Sequence, residues 1–352
     1  MSEFSRESSE GQKASSGVIE IGGWASRATL DIIGVAGMGQ DFNALKDPST
    51  ELNLIYRKVF EPSEAAEIFG LLSFFLPIRI MRLLPVKRND DIRAAVSTIR
   101  RVCRQLIHQK QEKINNKEKR VDVDIISVAL ESGGFTEDNL VDQMMTFLAA
   151  GHETTASALI WAVYVVCKHP EIQTRLRAEV REFLPSIDDS STIVTDKVLD
   201  KLPYLHAVCS EVLRVWSPVP ITLRDTAKDT SILGQFVPKG TKIISSPWAV
   251  NMSTELWGED ASEFNPDRWM GPGRTNTGGA ESNFAFLTFL HGPRSCIGQA
   301  FARAEFACLL AAIVGRFEME LEDKDFVVEI KGGVTARPRH GLRVKMRQVE
   351  GW

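Results

Sequence analysis

Ten residues toward the C-terminal end constrain the chain more than any other stretch. They follow the pattern F-x-x-G-x-R-x-C-x-G, with Phe289, Gly292, Arg294, Cys296 and Gly298 at its fixed positions. The glycines let the backbone turn sharply and come close to a flat partner without a Cβ in the way. The residues from Gln299 onward have a helical pattern, so the cysteine precedes a helix N-terminus, where free N–H groups stabilise a thiolate. The pattern predicts a loop that presents a thiolate ligand. The alternative is a buried structural cysteine in a glycine-containing turn.

Three further segments occur upstream of this loop. Ala150 to Thr155 match [AG]-G-x-[DE]-T-[TS], and Glu211 and Arg214 form an E-x-x-R pair. Phe264 to Trp269 are similar to a P-E-R-F box, with Asp267 where glutamate is commoner. Together with the cysteine loop, and in this order, the segments resemble the cytochrome P-450 family over the C-terminal two-thirds of the chain.

The resemblance implies a fold class and a domain organisation. The fold is expected to be mainly α with small β-sheets (α+β), a cytochrome P-450 fold lacking its N-terminal β-sheet and first helices. The polar residues 1–17 are expected to be a disordered N-terminal segment, and residues 18–352 a partial haem domain. The segment from Val18 is similar to the helices that follow that first sheet in the family. The chain is therefore similar to a family member without roughly its first quarter.

The resemblance also implies a set of site residues. Haem b, with Cys296 as the axial thiolate and metal ligand, would be held with the help of Phe289, Gly292, Gly298, Arg294 and Arg224. Glu153 and Thr154 would relay protons, and Glu211, Arg214 and Arg268 would form a structural network. The substrate pocket would be lined by Ala150, Val219, Ile221 and Val334. The alternatives are a satisfied core carboxylate for Glu153 and a surface charge for Arg224.

The activity that the resemblance implies is that of a haem-thiolate monooxygenase. Such an enzyme inserts one atom of O₂ into a small organic substrate, here a lipophilic compound or a secondary metabolite. No phosphate-cradling glycine motif is present, so the NADPH-derived electrons would come from a separate NADPH–cytochrome reductase. Two alternatives stay open. One is an isomerase or dehydratase that uses the same fold without O₂, and the other is a non-catalytic remnant with impaired haem binding.

Charge and cysteine content narrow the partners and the compartment. A net charge of −4 and a pI near 6.0 give no support for nucleic-acid binding. The five cysteines show no paired spacing, which indicates a reducing compartment without structural disulfides. Similarity to microsomal and fungal members implies the cytosolic face of the endoplasmic reticulum membrane for a full-length form. Without an anchor, the expected place of this chain is the cytoplasm.

Periodicity predicts the main elements. Helices are expected over residues 18–40, 51–69, 90–119 and 136–168, and strands over 230–250 and 318–347. The apolar stretch 68–85 is too short to span a bilayer, so it is either buried or touches a membrane surface. Gly151 and its polar neighbours predict a local distortion of the long helix. The glycine-rich stretch 271–280 predicts a flexible surface loop.

Overall fold

The computed structural model describes residues 16–60, 72, 83, 86–116, 124–186, 188–189, 191, 193–331 and 334–352. The chain is mainly helical with small antiparallel sheets, which confirms the expected fold class. It forms two compact units. The helical unit contains Gly22–Ser157 and Lys331–Val334, and the mixed unit contains residues 16–21, Ala158–Ile330 and Thr335–Trp352.

The elements of the described residues are as follows. The helices are α1 (Ile21–Met38), α2 (Glu51–Phe60), α3 (Lys87–Asn115), α4 (Ile125–Ser132), α5 (Glu137–Lys168), α6 (Pro170–Phe183), α7 (Asp196–Leu199), α8 (Pro203–Val215), α9 (Pro247–Asn251), α10 (Thr254–Trp257) and α11 (Gln299–Arg316). Pro266–Trp269 and Gly292–Arg294 are short 3-10 helices. The strands are β1 (Ser16–Glu20), β2 (Thr222–Asp225), β3 (Thr230–Ile232), β4 (Gln235–Val237), β5 (Lys242–Ser245), β6 (Phe317–Leu321), β7 (Ile330–Lys331), β8 (Arg337–Pro338) and β9 (Arg343–Gln348).

The start of the first predicted helix was wrong. Residues 16–20 form β1, which pairs antiparallel with β9 from Ser16 opposite Arg347 to Glu20 opposite Arg343. Strand β6 pairs with the other side of β9, so the sheet order is β1-β9-β6. The β-branched Val18 and Ile19 suit a strand. The strand they pair with lies at the opposite end of the chain, so the local sequence pattern could not predict this pairing. The remainder of the segment predicted as disordered, residues 1–15, lies outside the described residues.

The helical unit is built around the N-terminal half of α5. Helix α5 begins near residue 136, as expected, where the Asn139 N–H donates to the Thr136 hydroxyl at 3.3 Å. Gly133, at φ 62°, ends α4 in the left-handed conformation that favours glycine. The buried core of this unit contains Leu30, Ile33, Met38, Ala44, Leu52, Tyr56, Ile99, Cys103, Ile107, Ile126, Leu140, Val141, Met144 and Leu148.

Gly151 has a packing role. Helix α5 is α-helical throughout Glu137–Lys168, so the structure shows no bulge at this position and the expectation of one was wrong. A Cβ added at Gly151 would lie 2.9 Å from Ile33 Cγ1 of α1. Glycine is therefore needed here because α1 packs too closely against α5 for a larger residue.

Replacing Gly151 with alanine should destabilise the helical unit. Overpacking typically costs about 1–3 kcal/mol, which exceeds the gain of up to about 1 kcal/mol from the better helix propensity of alanine. Chemical denaturation of the two proteins measures the difference. Gly134→Ala is the control, because its Cβ would meet only the Ser132 hydroxyl at 3.5 Å. In the double variant Gly151→Ala/Ile33→Ala the shorter side chain at position 33 leaves room for the new Cβ. The loss of unfolding free energy should then be smaller than the sum of the losses in the two single variants, and an additive result would contradict a steric clash.

The glycine-rich stretch lies at the surface, as expected, with residues 271–276 exposed, but one of its glycines is anchored. Its flexibility stays a prediction. Gly278 is buried, and a Cβ there would lie 2.8 Å from the Trp257 ring and 3.2 Å from the Trp269 ring. The two indoles belong to a core cluster of the mixed unit that also contains Ala207, Ala261 and Ala285. Glycine content alone predicts mobility, whereas here one glycine makes room for two tryptophans.

The apolar stretch 68–85 lies outside the described residues except for Leu72 and Leu83. Its predicted burial or membrane contact therefore stays a prediction. Among the helices that the structure describes, none combines the length and apolar character that a membrane crossing requires.

Candidate haem-thiolate site

The cysteine loop is a hydrogen-bonded turn that leads into α11. The Cys296 N–H donates to the Phe289 carbonyl at 2.8 Å, and the Ser295 N–H donates to the Gly292 carbonyl at 3.0 Å. Gly292 has φ 79°, so a side chain at this position would be strained. Helix α11 begins at Gln299 with no side-chain cap, which leaves its first N–H groups available to a nearby anion. The cysteine thus precedes a helix N-terminus, as predicted.

The loop is open around the sulfur. Cys296 is an exposed free thiol, and a Cβ at Gly298 would lie 4.0 Å from its Sγ. Gly298 has φ −90°, so its backbone could carry any residue, and its lack of a side chain serves to keep the space beside the sulfur clear. The neighbouring Ile297 is 90% exposed. An accessible sulfur with clear space and an apolar neighbour fits a flat, mostly apolar macrocycle held by one protein ligand, as haem is.

The predicted propionate partners lie in the same unit as Cys296. Arg294 is the last residue of the 3-10 helix that precedes the cysteine, and it is exposed. Arg224 is exposed on β2, where its Nη1 donates to the Thr222 hydroxyl and the Leu223 carbonyl, both at 2.8 Å. Its guanidinium is thus oriented by its own strand. A role for either arginine at a haem propionate stays a prediction.

Arg303 is a contact of the loop that the sequence motifs did not indicate. Its guanidinium lies 5.3 Å from the ring centroids of both Phe286 and Phe289, and Nη1 donates to the Ser210 hydroxyl at 3.2 Å. Cation–π contacts of this kind stabilise when the cation is partly desolvated. Burial lowers the pKa of the Arg303 guanidinium. The side chain joins α11 to α8 and to the first residue of the cysteine motif.

Glu211 and Arg214 form a fully buried ion pair on α8. Arg214 Nη2 lies 2.7 Å from Glu211 Oε1, Arg214 Nε lies 2.8 Å from Oε2, and both side chains are 0% exposed. Arg214 also donates to the carbonyls of Asn251, Ala261 and Glu263. A bidentate pair with every donor used is the arrangement that makes a buried charge tolerable.

The structure brings Arg268 to this pair and adds two residues that were missed. Arg268 Nε lies 3.5 Å from Glu211 Oε1, while Arg268 Nη2 lies 2.8 Å from Asp260 Oδ2. The Trp269 indole donates to Glu211 Oε2 at 2.8 Å. Asp260 lies in the run Trp257-Gly-Glu-Asp260. The segment between Asp260 and Arg268 is irregular, so no helical or strand periodicity predicts that the two side chains meet. The role of this network in retaining haem stays a prediction.

The Asp260 pair predicts a pH-dependent part of the stability. The hydrogen bond from Arg268 holds the pKa of the Asp260 carboxyl below its usual value of 3.8. A carboxyl whose pKa is lower in the folded than in the unfolded chain stabilises the fold at pH values above its unfolded pKa. This contribution is lost as the pH falls through its folded pKa. We expect the stability difference between the parent chain and Asp260→Asn to be greatest above pH 3.8, to decrease as the pH falls below 3.8, and to vanish only below the lowered pKa of the folded state. Denaturant titrations at a series of pH values measure it, and a difference independent of pH would contradict the assignment.

The predicted proton-relay pair lies on α5 in the helical unit. Glu153 is 2% exposed, whereas Thr154 is half-buried, and the Thr154 hydroxyl donates to the Ala150 carbonyl at 3.0 Å. The neighbouring His152 is buried, with Nδ1 2.6 Å from the Leu148 carbonyl. Ala150 and Thr154 are one turn apart and form the more open face of the helix. The acid and the alcohol are adjacent, and their role in proton transfer stays a prediction.

The four predicted pocket residues are all at least partly accessible. Ala150 is exposed on α5, Val219 is half-buried, Ile221 is 42% exposed and Val334 is 70% exposed. Gly332 and Gly333, which precede Val334, lie outside the described residues. Ala150 and Val334 belong to the helical unit, and Val219 and Ile221 belong to the mixed unit. Their common pocket therefore stays a prediction.

Comparison with known proteins agrees with these motifs. The family model for cytochrome P450 matches residues 2–346. The chain is 50% identical to cytochrome P450 monooxygenase sphH of Aspergillus fumigatus, over 95% of this chain and 62% of that protein. It is 45% identical to cytochrome P450 monooxygenase FUM15 of Gibberella moniliformis, over 94% of this chain and 63% of that protein. It is 44% identical to cytochrome P450 monooxygenase ALT8 of Alternaria alternata, over 95% and 63%.

The chain thus spans less than two thirds of the length of these relatives. The match nevertheless covers almost all of the chain itself and includes the cysteine loop, the E-x-x-R pair and the acid–alcohol turn. The chain belongs to the cytochrome P450 family.

Proposed function

We propose that the protein is a haem-thiolate monooxygenase that inserts one atom of O₂ into a small organic substrate and releases the other as water. The observation that carries the proposal is the loop in which an exposed Cys296 precedes the N-terminus of α11, with clear space beside its sulfur. Bound haem supplies the oxygen activation, which is chemistry of the cofactor. The relatives named as cytochrome P450 monooxygenases support the same assignment.

The proximal residues have distinct tasks in this proposal. Cys296 binds iron as a thiolate, and the free N–H groups of α11 stabilise its negative charge. Arg294 and Arg224 would bind haem propionates through charge-assisted hydrogen bonds. Phe289 orients the loop through its carbonyl, which receives the Cys296 N–H. Glu211, Arg214 and Arg268 keep the preceding segment in place and take no part in the chemistry.

Proton delivery is the task of α5. The Thr154 hydroxyl, which donates to the Ala150 carbonyl in the structure, is the group that would pass a proton to the reacting oxygen. Glu153 resupplies that hydroxyl, since its carboxyl is the adjacent acid and is shielded from bulk water. Glu153→Gln and Thr154→Val should therefore release more peroxide per NADPH oxidised than the parent protein does.

For the substrate and the redox partner we propose only a chemical class and a type of protein. Val219, Ile221, Val334 and Ala150 would line an apolar pocket, which favours a lipophilic substrate such as a secondary metabolite. Electrons would come from NADPH through a separate reductase, and the full-length form would work at the cytosolic face of the endoplasmic reticulum. These statements rest on the family resemblance and on the fungal relatives.

Two measurements test the proposal. The reduced protein with bound carbon monoxide should show a thiolate-type Soret band, and absence of haem uptake would contradict the proposal for this chain. With a competent reductase, NADPH and O₂ should be consumed in the presence of substrate. A haem-loaded protein that consumes neither, yet converts a peroxide substrate, would instead be an isomerase or dehydratase.

A further inference from the structure

A buried asparagine joins the Glu211–Arg214 pair to the stem of the cysteine loop. Asn251 is the last residue of α9 and is 0% exposed. Its Nδ2 donates to the Arg214 carbonyl at 3.1 Å and to the Thr288 hydroxyl at 2.8 Å, and its Oδ1 accepts from the Leu287 N–H at 2.8 Å. Both ends of the amide are used, so the side chain has a single satisfied orientation. The amide links the C-terminal end of α8 to the residues just before Phe289.

The Thr288 hydroxyl is the second part of the link. It accepts from Asn251 and donates its only proton to the Leu213 carbonyl at 2.7 Å. Leu213 and Arg214 are adjacent near the end of α8, so two neighbouring carbonyls of that helix hold the loop stem. A hydrogen-bonded chain in a partly buried region specifies one arrangement more strictly than apolar packing does.

The stem needs such support because it contains a strained residue. Leu290 has φ 59°, in the left-handed region that non-glycine residues seldom adopt. Its N–H donates to the Leu287 carbonyl at 2.9 Å, and this closes a turn that contains Phe289, whose carbonyl receives the Cys296 N–H. A strained conformation persists where its surroundings enforce it. Asn251 and Thr288 hold the residues on the N-terminal side of that turn.

We infer that Asn251 and Thr288 are positioning residues for Cys296. By fixing residues 287–288 against α8, they hold the turn in the geometry that presents the sulfur to haem iron. The inference rests on the proposed function, since it concerns thiolate ligation. It adds two residues that act through the stem of the loop, and it provides a path of hydrogen bonds and short backbone segments from α8 to Cys296.

A pair of substitutions at one position isolates the hydroxyl. Thr288→Val keeps the shape of the side chain and removes the hydroxyl, whereas Thr288→Ser keeps the hydroxyl. Loss of a residue that orients a metal ligand typically weakens metal binding by about 10- to 100-fold. For Thr288→Val we expect haem affinity to fall on the order of tenfold and the carbon monoxide spectrum to shift from the thiolate type toward the thiol type. Thr288→Ser should stay close to the parent protein in both measurements.

Hydrogen exchange in the haem-free protein gives a readout that does not depend on the cofactor. The Cys296 amide donates to the Phe289 carbonyl, so a loosened stem should speed its exchange in Thr288→Val and leave it unchanged in Thr288→Ser. Asn251→Asp is a second variant, because it keeps the acceptor for the Leu287 N–H and loses the donors to the Thr288 hydroxyl and the Arg214 carbonyl, so it should also speed this exchange. Thr277→Val is the control, since that hydroxyl donates to the Gly273 carbonyl at 3.3 Å and accepts from the Gly279 N–H at 3.2 Å, both outside the stem of the loop.

The outcomes separate this inference from the proposed function. If the parent protein takes up no haem, the proposed function fails, and the exchange experiment still decides the positioning role. If the parent binds haem through a thiolate while Thr288→Val leaves the spectrum, haem affinity and exchange unchanged, the inference is overturned. An equal loss in Thr288→Val and Thr288→Ser would also overturn it, because the hydroxyl would then not be the cause.

Discussion

Replacing Cys296 with serine is expected to abolish the thiolate-type Soret band, whereas replacing Cys308 is expected to leave it intact. Serine has nearly the same size but no soft sulfur to bind iron, so haem would lose its only protein ligand. Both cysteines are exposed and free, and both lie in the mixed unit. Cys308, however, lies within α11 rather than ahead of its N-terminus. The carbon monoxide spectrum of each purified variant, normalised to protein, measures the effect.

The comparison is decisive because the two substitutions remove the same chemical group. Neither side chain is required by the core, so the folded fraction of each variant should match that of the parent chain in denaturant titrations. A thiolate-type band in Cys296→Ser, or its loss in Cys308→Ser, would show that the axial ligand has been assigned to the wrong residue. Haem uptake without that band in Cys296→Ser remains compatible with weak binding by the surrounding apolar residues.

Sequence reasoning succeeded wherever the signal was local. The start of α11 after the cysteine motif and the start of α5 near residue 136 each depend on a few consecutive residues. The E-x-x-R pair is also local, because residues three apart lie on one helix face. Its full burial was not apparent, since the groups that cover it come from the loop segments between α9 and the cysteine motif.

The failures have the opposite cause. Strand β1 is specified by its pairing with β9 at the other end of the chain, and the burial of Gly278 depends on the rings of Trp257 and Trp269 beside it. The expected bulge at Gly151 was inferred from low helix propensity, whereas the residue serves close packing against Ile33. Asn251 ends a helix of five residues and Asp260 lies in an irregular segment, so neither belongs to a stretch long enough to show periodicity. Tertiary contacts decide such positions, and propensity is only a weak prior there.

The buried ion pair predicts the largest stability effect. Glu211→Gln keeps the shape of the side chain and removes its charge, which leaves the Arg214 guanidinium buried without a counterion. Breaking a buried pair from one side typically costs about 3–5 kcal/mol. A domain is usually stable by only about 5–15 kcal/mol, so we expect much of the stability of the mixed unit to be lost. Denaturant unfolding of the haem-free protein measures the loss.

Asp267→Asn is the matched control. Asp267 lies in the same segment as Arg268 and pairs with Arg175 at 2.8 Å, but both side chains are about half exposed. Water screens such a pair, so its loss should cost less than about 1 kcal/mol. Arg214→Lys should resemble Glu211→Gln, because lysine keeps the charge and cannot reproduce the fork that serves Glu211 and three carbonyls. If Glu211→Gln costs no more than Asp267→Asn, the buried pair does not hold this segment, and the path from α8 to Cys296 loses its first link.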